Sequence, residues 1–203
     1  MSRAKTAPAR NSRRATPELP PRERILAAAR ELFYARGIRA VSVDEIAAAA
    51  DTNKMTLYRH FESKDRLVAE YLRMLADEAD GIWEYLSRTH PGDARKQLEA
   101  WLQHLCNGMA EPSNRGCAFA NAAVEIPEKD HPAREVIEHH KKSQRDHIAK
   151  LCRSAGFTGP EKLADEIFLL LEGARVNMQS MGREGPCHRM PELFRMLLNS
   201  KAS

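Results

Sequence analysis

No apolar run in this chain of 203 residues approaches the roughly 20 residues needed to cross a bilayer, and the N-terminus has no apolar segment of signal-peptide length. Charged residues make up 30% of the sequence and mean hydropathy is −0.56. These absences exclude a multi-span membrane protein and lead to the expectation of a cytoplasmic protein with no membrane partner. Cysteine is sparse: four residues, at 106, 117, 152 and 187, with no Cys-x-x-Cys pair. That argues against a thiolate zinc site and a paired redox motif, and reduced thiols are expected. There is no Gly-rich phosphate loop, no nucleophile elbow and no His-Glu-x-x-His. Nothing therefore points to an enzyme, a cofactor or a metal. His139, His140 and His147, spaced by one and seven, do not put three ligands on one helix face. Finally, no segment alternates apolar and polar residues for long enough to argue a strand, so the expected fold class is all-α.

The formal net charge of +4 says little until it is divided. Residues 1–66 carry 14 basic and 8 acidic side chains; residues 67–203 carry 18 basic and 20 acidic. A basic front and a slightly acidic back suggest an N-terminal part that meets a polyanion. Residues 1–20 combine Pro8, Pro17 and Pro20 with Arg3, Lys5, Arg10, Arg13 and Arg14, and the first acid is Glu18. Such a segment reads as a disordered basic arm, either a solvated tail or a source of added phosphate or minor-groove contacts.

From Pro21 onward the periodicity is helical. Ile25, Ala28, Ala29, Leu32 and Phe33 mark one buried face, and Gly37 supplies the stop. Ser42-Val43-Asp44-Glu45 has the form of a capping box and starts a short helix from Asp44 to about Ala50. Asp51-Thr52-Asn53 reads as a turn, with Asn53 capping a second short helix over Lys54–Phe61 that Leu57 and Phe61 anchor. Ser63 caps a long helix running toward Leu86. Further helices are expected at about 93–109, 116–125, 132–155 and 160–182, with a last short one from Pro191.

Three short helices with a tight turn between the second and third describe a helix-turn-helix unit whose third helix lies in a DNA major groove. Lys54, Thr56, Tyr58 and His60 are free to point outward. Thr56 and Tyr58 offer hydroxyls and Lys54 a charge to phosphate; Asn53 and Met55 stand where base edges or thymine methyls are met. Ser42 and Lys64 open the flanking helices, whose backbone amides favour phosphate. The competing readings are a compact helical corner with an accidental basic surface, and an architectural protein that binds DNA without sequence preference.

The run Val43-Asp44-Glu45-Ile46-Ala47, then Thr56-Leu57-Tyr58-Arg59-His60-Phe61, then Ser63-Lys64-Asp65-Arg66-Leu67 resembles the tetracycline-repressor (TetR) family of bacterial transcriptional regulators. The likeness spans about 22–72. It implies a homodimer in which each N-terminal unit reads half of a palindromic operator, a repressor released by a small-molecule inducer. It also implies that Ser42, Asn53, Lys54, Met55, Thr56, Tyr58, His60 and Lys64 face DNA. The turn departs from the family's usual Gly-Val-Ser, carrying Asp51-Thr52-Asn53 instead; Asp tolerates a left-handed backbone better than most residues and Asn replaces Ser as cap. The domains expected are an arm (1–20), a DNA-binding unit (21–66) and a helical regulatory and dimerisation part (67–203).

The stretch Arg115-Gly116-Cys117-Ala118-Phe119-Ala120-Asn121-Ala122-Ala123-Val124-Glu125, with Asp130-His131-Pro132 after it, is similar to one branch of that family, as is Leu169-Leu170-Leu171-Glu172-Gly173-Ala174. The likeness implies a small-molecule pocket between these helices and a dimer built from the last two, with Leu170, Gly173, Ala174, Phe194 and Leu197 at the interface. Trp83, Trp101, His104, Phe119, Asn121, Glu125, His140 and Met178 combine aromatic bulk with a few polar groups, as ligand sites do, and are the pocket candidates. Each of them also suits core packing. Cys117, at a helix start beside Arg115, reads either as a redox sensor or as a small core residue, and the second is favoured.

Overall fold

Helix α1 (Pro21–Arg36) opens on Pro21, whose fixed φ suits the first helical position and whose missing amide would have found no acceptor there. The computed structural model describes residues 19–111 and 114–201. The expected basic arm therefore lies, up to residue 18, outside the described residues. Gly37, at φ +88°, ends α1 and donates its N–H to the Phe33 carbonyl at 2.9 Å. Helices α2 (Val43–Ala49), α3 (Lys54–Phe61) and α4 (Lys64–Thr89) follow, each beginning behind the expected cap. The Ser42 hydroxyl accepts the Glu45 N–H at 3.2 Å while the Glu45 carboxylate accepts the Ser42 N–H at 2.8 Å. Asn53 Oδ1 accepts the Thr56 N–H at 2.9 Å, and Ser63 Oγ accepts the Arg66 N–H at 3.1 Å. In the turn before α3, Asp51 takes φ +48°, the left-handed conformation its short polar side chain tolerates.

Five more helices complete the described chain: α5 (Ala94–Ala110), α6 (Ala118–Glu125), α7 (Pro132–Ser154), α8 (Pro160–Met181) and α9 (Met190–Ser200). The last grows out of a 3-10 turn over Pro186–Arg189 that sequence periodicity did not signal, and so starts one residue before Pro191. Among the described residues there is no strand, and no helix is long and apolar enough to cross a membrane.

Two apolar clusters hold these helices. The first joins Ile25, Phe33, Ile46, Leu57 and Phe61 of α1–α3 to Leu67, Tyr71 and Leu72 of α4. Phe119 and Ala122 of α6, and Ala133, Val136 and Ile137 of α7, complete it. Each fully buried aliphatic side chain here contributes about 1.5–3 kcal/mol. The unit of α1–α3 is thus closed by helices that come much later in sequence. The second cluster takes Trp83 and Leu86 from the far end of α4 and packs them with Leu98 and Trp101 of α5, Ile148 and Cys152 of α7, Leu163 and Ile167 of α8, and Phe194 of α9. With 26 residues, α4 is about 39 Å long and belongs to both clusters.

Candidate nucleic-acid interface and effector cavity

Helix α3 is pinned by one face. Leu57 and Phe61 are buried, and the Arg22 guanidinium lies over the Phe61 ring at 5.2 Å. The opposite face is open: Asn53, Lys54, Tyr58, Arg59 and His60 are exposed, and Met55 is 83% exposed. An isolated unbranched apolar side chain held out on a short polar helix is available to a groove rather than to the core. Lys54 Nζ reaches Asp44 Oδ2 at 3.3 Å, an exposed pair that a phosphate can replace at little cost. Arg59 has no partner among the described residues and adds a cation to this face that the sequence reading passed over.

The other expected contact residues are occupied locally. The Ser42 hydroxyl is held at both lone pair and proton, accepting from Glu45 N and donating to Glu45 Oε2 at 2.8 Å. The Ser42 N–H at 2.8 Å, then its hydroxyl, then Arg36 Nη1 at 2.7 Å push the Glu45 carboxyl down to about 2. Asn53 spends Oδ1 on its cap and keeps its amide N–H groups. Thr56 is half-buried. Lys64 turns inward: Nζ donates to the Ile38 carbonyl at 2.6 Å beside the Phe33 ring, and partial burial lowers its pKa. Arg24, which no short-range pattern singles out, ties the unit together. Its Nε donates to the Ala50 carbonyl at 3.0 Å, Nη2 to Asp51 at 3.1 Å and Nη1 to Leu19 at 3.2 Å. A cation thus closes the C-terminal end of α2 and holds the turn that aims α3.

Behind this unit lies a cavity of about 260 Å³ between α4, α5, α6, α7 and α8. Five of the candidate pocket residues line it: Trp83, Trp101, His104, Phe119 and His140. Trp83 and Trp101 pack with centroids 4.7 Å apart, and His140 stacks on Phe119 at 3.7 Å. Burial, with Lys141 and Arg175 nearby, pushes His140 down to about 4, so the ring is neutral at pH 7. Gln144 and Arg175 also face this space and were not anticipated.

The sequence profile for bacterial regulatory proteins of the tetR family matches residues 25–71, and that for the tetracyclin repressor-like C-terminal domain matches residues 94–194. The chain belongs to the TetR family. It is similar to the HTH-type transcriptional regulator YjdC of Escherichia coli, with 25% identity over 84% of this chain and 91% of that one. A shorter stretch, 39% of this chain and 38% of its relative, is 41% identical to the HTH-type transcriptional repressor KstR2 of Rhodococcus jostii. The crystal structure of a TetR-family transcriptional regulator from Streptomyces coelicolor superposes with a TM-score of 0.81 at 28% identity, covering 90% of this chain and 96% of the other. The protein is therefore a DNA-binding transcriptional regulator of the helix-turn-helix type, and its family and relatives are regulators rather than enzymes.

In this TetR-family protein three pocket candidates stand apart from the cavity. Asn121, Glu125 and Met178 line a surface groove beside α1 instead. Asn121 donates to the Arg115 carbonyl at 2.8 Å. Glu125 Oε2 accepts the Arg39 N–H at 2.9 Å, and a Cβ at Gly37 would stand 2.9 Å from Glu125 Oε1. Glu125 thus docks α6 on the α1–α2 turn. Cys117 precedes α6 without a side-chain bond to its first turn, lines the cavity and has Lys141 Nζ 3.4 Å from its sulfur. All four cysteines are free thiols.

Of the residues assigned to dimerisation, Ala174 and Phe194 are buried within the protomer, where they fill the second core cluster. Leu170 and Leu197 are half-buried, and Gly173 is exposed. The open apolar positions of α8 are Leu169, 70% exposed, and Val176, 58% exposed, on the same face as Gly173, and Met181 at its C-terminal end. Met196 of α9 is exposed as well.

Proposed function

We propose that the protein is a repressor that binds a palindromic operator as a homodimer in the cytoplasm and is released when a small-molecule inducer enters the cavity. The observation that carries this reading is the outward face of α3. Asn53, Lys54, Met55, Tyr58 and His60 are exposed on a helix whose other face is locked by Leu57 and Phe61. Lys54, Thr56 and Tyr58 meet phosphates around Asn53 and Met55, which read bases, and the backbone amides where Ser42 and Lys64 open the flanking helices add to the phosphate contacts. Two such helices on a two-fold axis read two half-sites about one helical turn apart.

Dimerisation is supported by the stripe Leu169, Gly173 and Val176, which recurs at i, i+4 and i+7 on α8. Apolar side chains that one protomer leaves in water are covered when the same face of a second copy packs on them, and Gly173 lets the helices approach. Leu170 stands beside that stripe in sequence, and Met196 of α9 is a further exposed apolar side chain. Release is supported by shared elements. Leu75, Ala79, Ile82 and Trp83 of α4 line the cavity, while the same helix begins at the DNA-binding unit. Helix α6 offers Phe119 to the cavity and Glu125 to the α1–α2 turn. An inducer acts only through preferring the DNA-incompetent arrangement; a hundredfold preference corresponds to about 2.7 kcal/mol. Selection of bound fragments from the source genome, followed by a promoter–reporter assay, tests the reading. Enrichment of an inverted repeat and lower reporter output with the protein present are expected. Enrichment of unrelated fragments overturns it.

A further inference from the structure

Two polar side chains on α7 are buried without a hydrogen-bond partner in the protein. His140 is 7% exposed and Gln144 9%, and neither bonds to any other described residue. They are one turn apart, so they share a face, and both line the 260 Å³ cavity. Among the described residues no fully sealed polar side-chain atom lacks a partner. The polar ends of His140 and Gln144 are therefore reached from the cavity itself. Polar groups that the protein leaves unbonded on a cavity wall are open to the hydrogen bonds of a ligand.

The charges beside the cavity are unbalanced. Glu172 is shared by Lys141 Nζ at 2.6 Å and Arg175 Nη1 at 3.0 Å, leaving one positive charge over. Arg175 lines the cavity and no carboxylate does. Its Nε and Nη2 have no acceptor among the described residues. A guanidinium with two open nitrogens presents the fork that a carboxylate fits. His140 is neutral there, so it contributes a hydrogen bond and not a charge. The walls are aromatic: Trp83, Trp101 and Phe119. A tryptophan pair can also cradle a cation, but two neighbouring cations and no lining carboxylate oppose one here. Size completes the description. A dry cavity of about 150 Å³ takes benzene, so 260 Å³ takes about ten non-hydrogen atoms on the same scale.

We propose that the cavity binds a monocyclic aromatic carboxylate, its ring against Trp83, Trp101 and Phe119 and its carboxylate on Arg175 and Gln144. The inference rests on the reading of this space as the inducer cavity and names the chemistry of its occupant. The full chain holds only two tryptophans, and both line the cavity, so intrinsic fluorescence reports on it directly. Three probes of matched size separate the alternatives: phenylacetate, phenylacetamide and phenyltrimethylammonium. Saturable quenching by phenylacetate, about tenfold or more tighter than by the amide and absent with the cation, is expected. Arg175→Met removes that preference by weakening the acid far more than the amide; Arg175→Lys keeps part of it and serves where the Met variant does not fold. Equal binding of acid and amide, preference for the cation, or no saturable quenching by phenylacetate at millimolar concentration overturns the proposal. Operator binding by the unliganded protein, followed in parallel by fluorescence anisotropy, keeps the two readings apart. Its loss refutes the proposed function. Its presence with no response to phenylacetate refutes the aromatic-carboxylate assignment alone.

Discussion

Replacing Lys54 by alanine tests the placement of α3 through a number that a general loss of stability does not imitate. The Lys54–Asp44 pair is 52% and 70% exposed at its two side chains, so its removal changes folding stability by well under about 1 kcal/mol. If Lys54 neutralises a phosphate, each α3 helix releases about 0.9 of a counterion through it, and a dimer about 1.8. The slope of log affinity against log salt should therefore become shallower by about 1.8 in the variant. Between 50 and 200 mM salt the affinity gap between wild type and variant then narrows about twelvefold. Asp44→Asn supplies the complementary case, because removing the carboxylate that competes with phosphate should tighten binding at low salt. Fluorescence anisotropy of a labelled operator across a salt series measures both, with thermal melts as the folding control. An unchanged slope in Lys54→Ala, with the fold intact, refutes the contact and with it this orientation of the helix.

Three further outcomes follow from other parts of the molecule. Gly37→Ala puts a side chain at φ +88° against the Glu125 carboxylate; a loss of about 1–3 kcal/mol is expected in urea unfolding, and an unchanged midpoint would show that α6 does not press on this turn. The pKa of His140 is about 4 in the fold against an ordinary 6.5, so its neutral form is favoured by folding. That stability is present above pH 6.5 and lost as the pH falls toward 4, and His140→Phe should flatten urea midpoints across this window; equal pH dependence in both proteins contradicts the assignment. Val176→Glu places a charge on the exposed stripe of α8, and light scattering should report the 22.9 kDa protomer in place of its dimer, whereas an unaltered dimer removes this face from the interface.

The DNA-binding unit was legible because its signals are local. Ser42 with Glu45, Asn53 with Thr56 and Ser63 with Arg66 are all three residues apart, within reach of a pattern read along the chain. Asp51 could be placed in the left-handed region because it stands where the family usually carries Gly and its short polar side chain tolerates that backbone. Arg24 could not be found that way, since its carbonyl partners at Ala50 and Asp51 are 26 and 27 residues distant. The same limit applies to α6, whose packing under α1 is set by contacts such as Glu125 to Arg39, 86 residues apart. Periodicity also marks apolar positions without saying what covers them. Phe194 and Ala174 belong to the protomer's own core, while Leu169 and Val176, on the same helix as Ala174, remain open. Asn121 and Glu125 have the composition of pocket residues, yet tertiary packing turns them to the outer groove beside α1. Gln144 and Arg175 were unremarkable in sequence because their place on the cavity wall, not residue type, distinguishes them.

Sequence-specific reading of DNA by α3 is the centre of the account, and competition at fixed salt measures it most directly. A labelled duplex carrying the selected inverted repeat is bound by the full chain and challenged with unlabelled duplex, either the same or of scrambled sequence. The scrambled duplex is expected to compete about a thousandfold less well or worse, and Met55→Ala to reduce the discrimination while the oligomeric state persists. Equal competition by the two duplexes would contradict it.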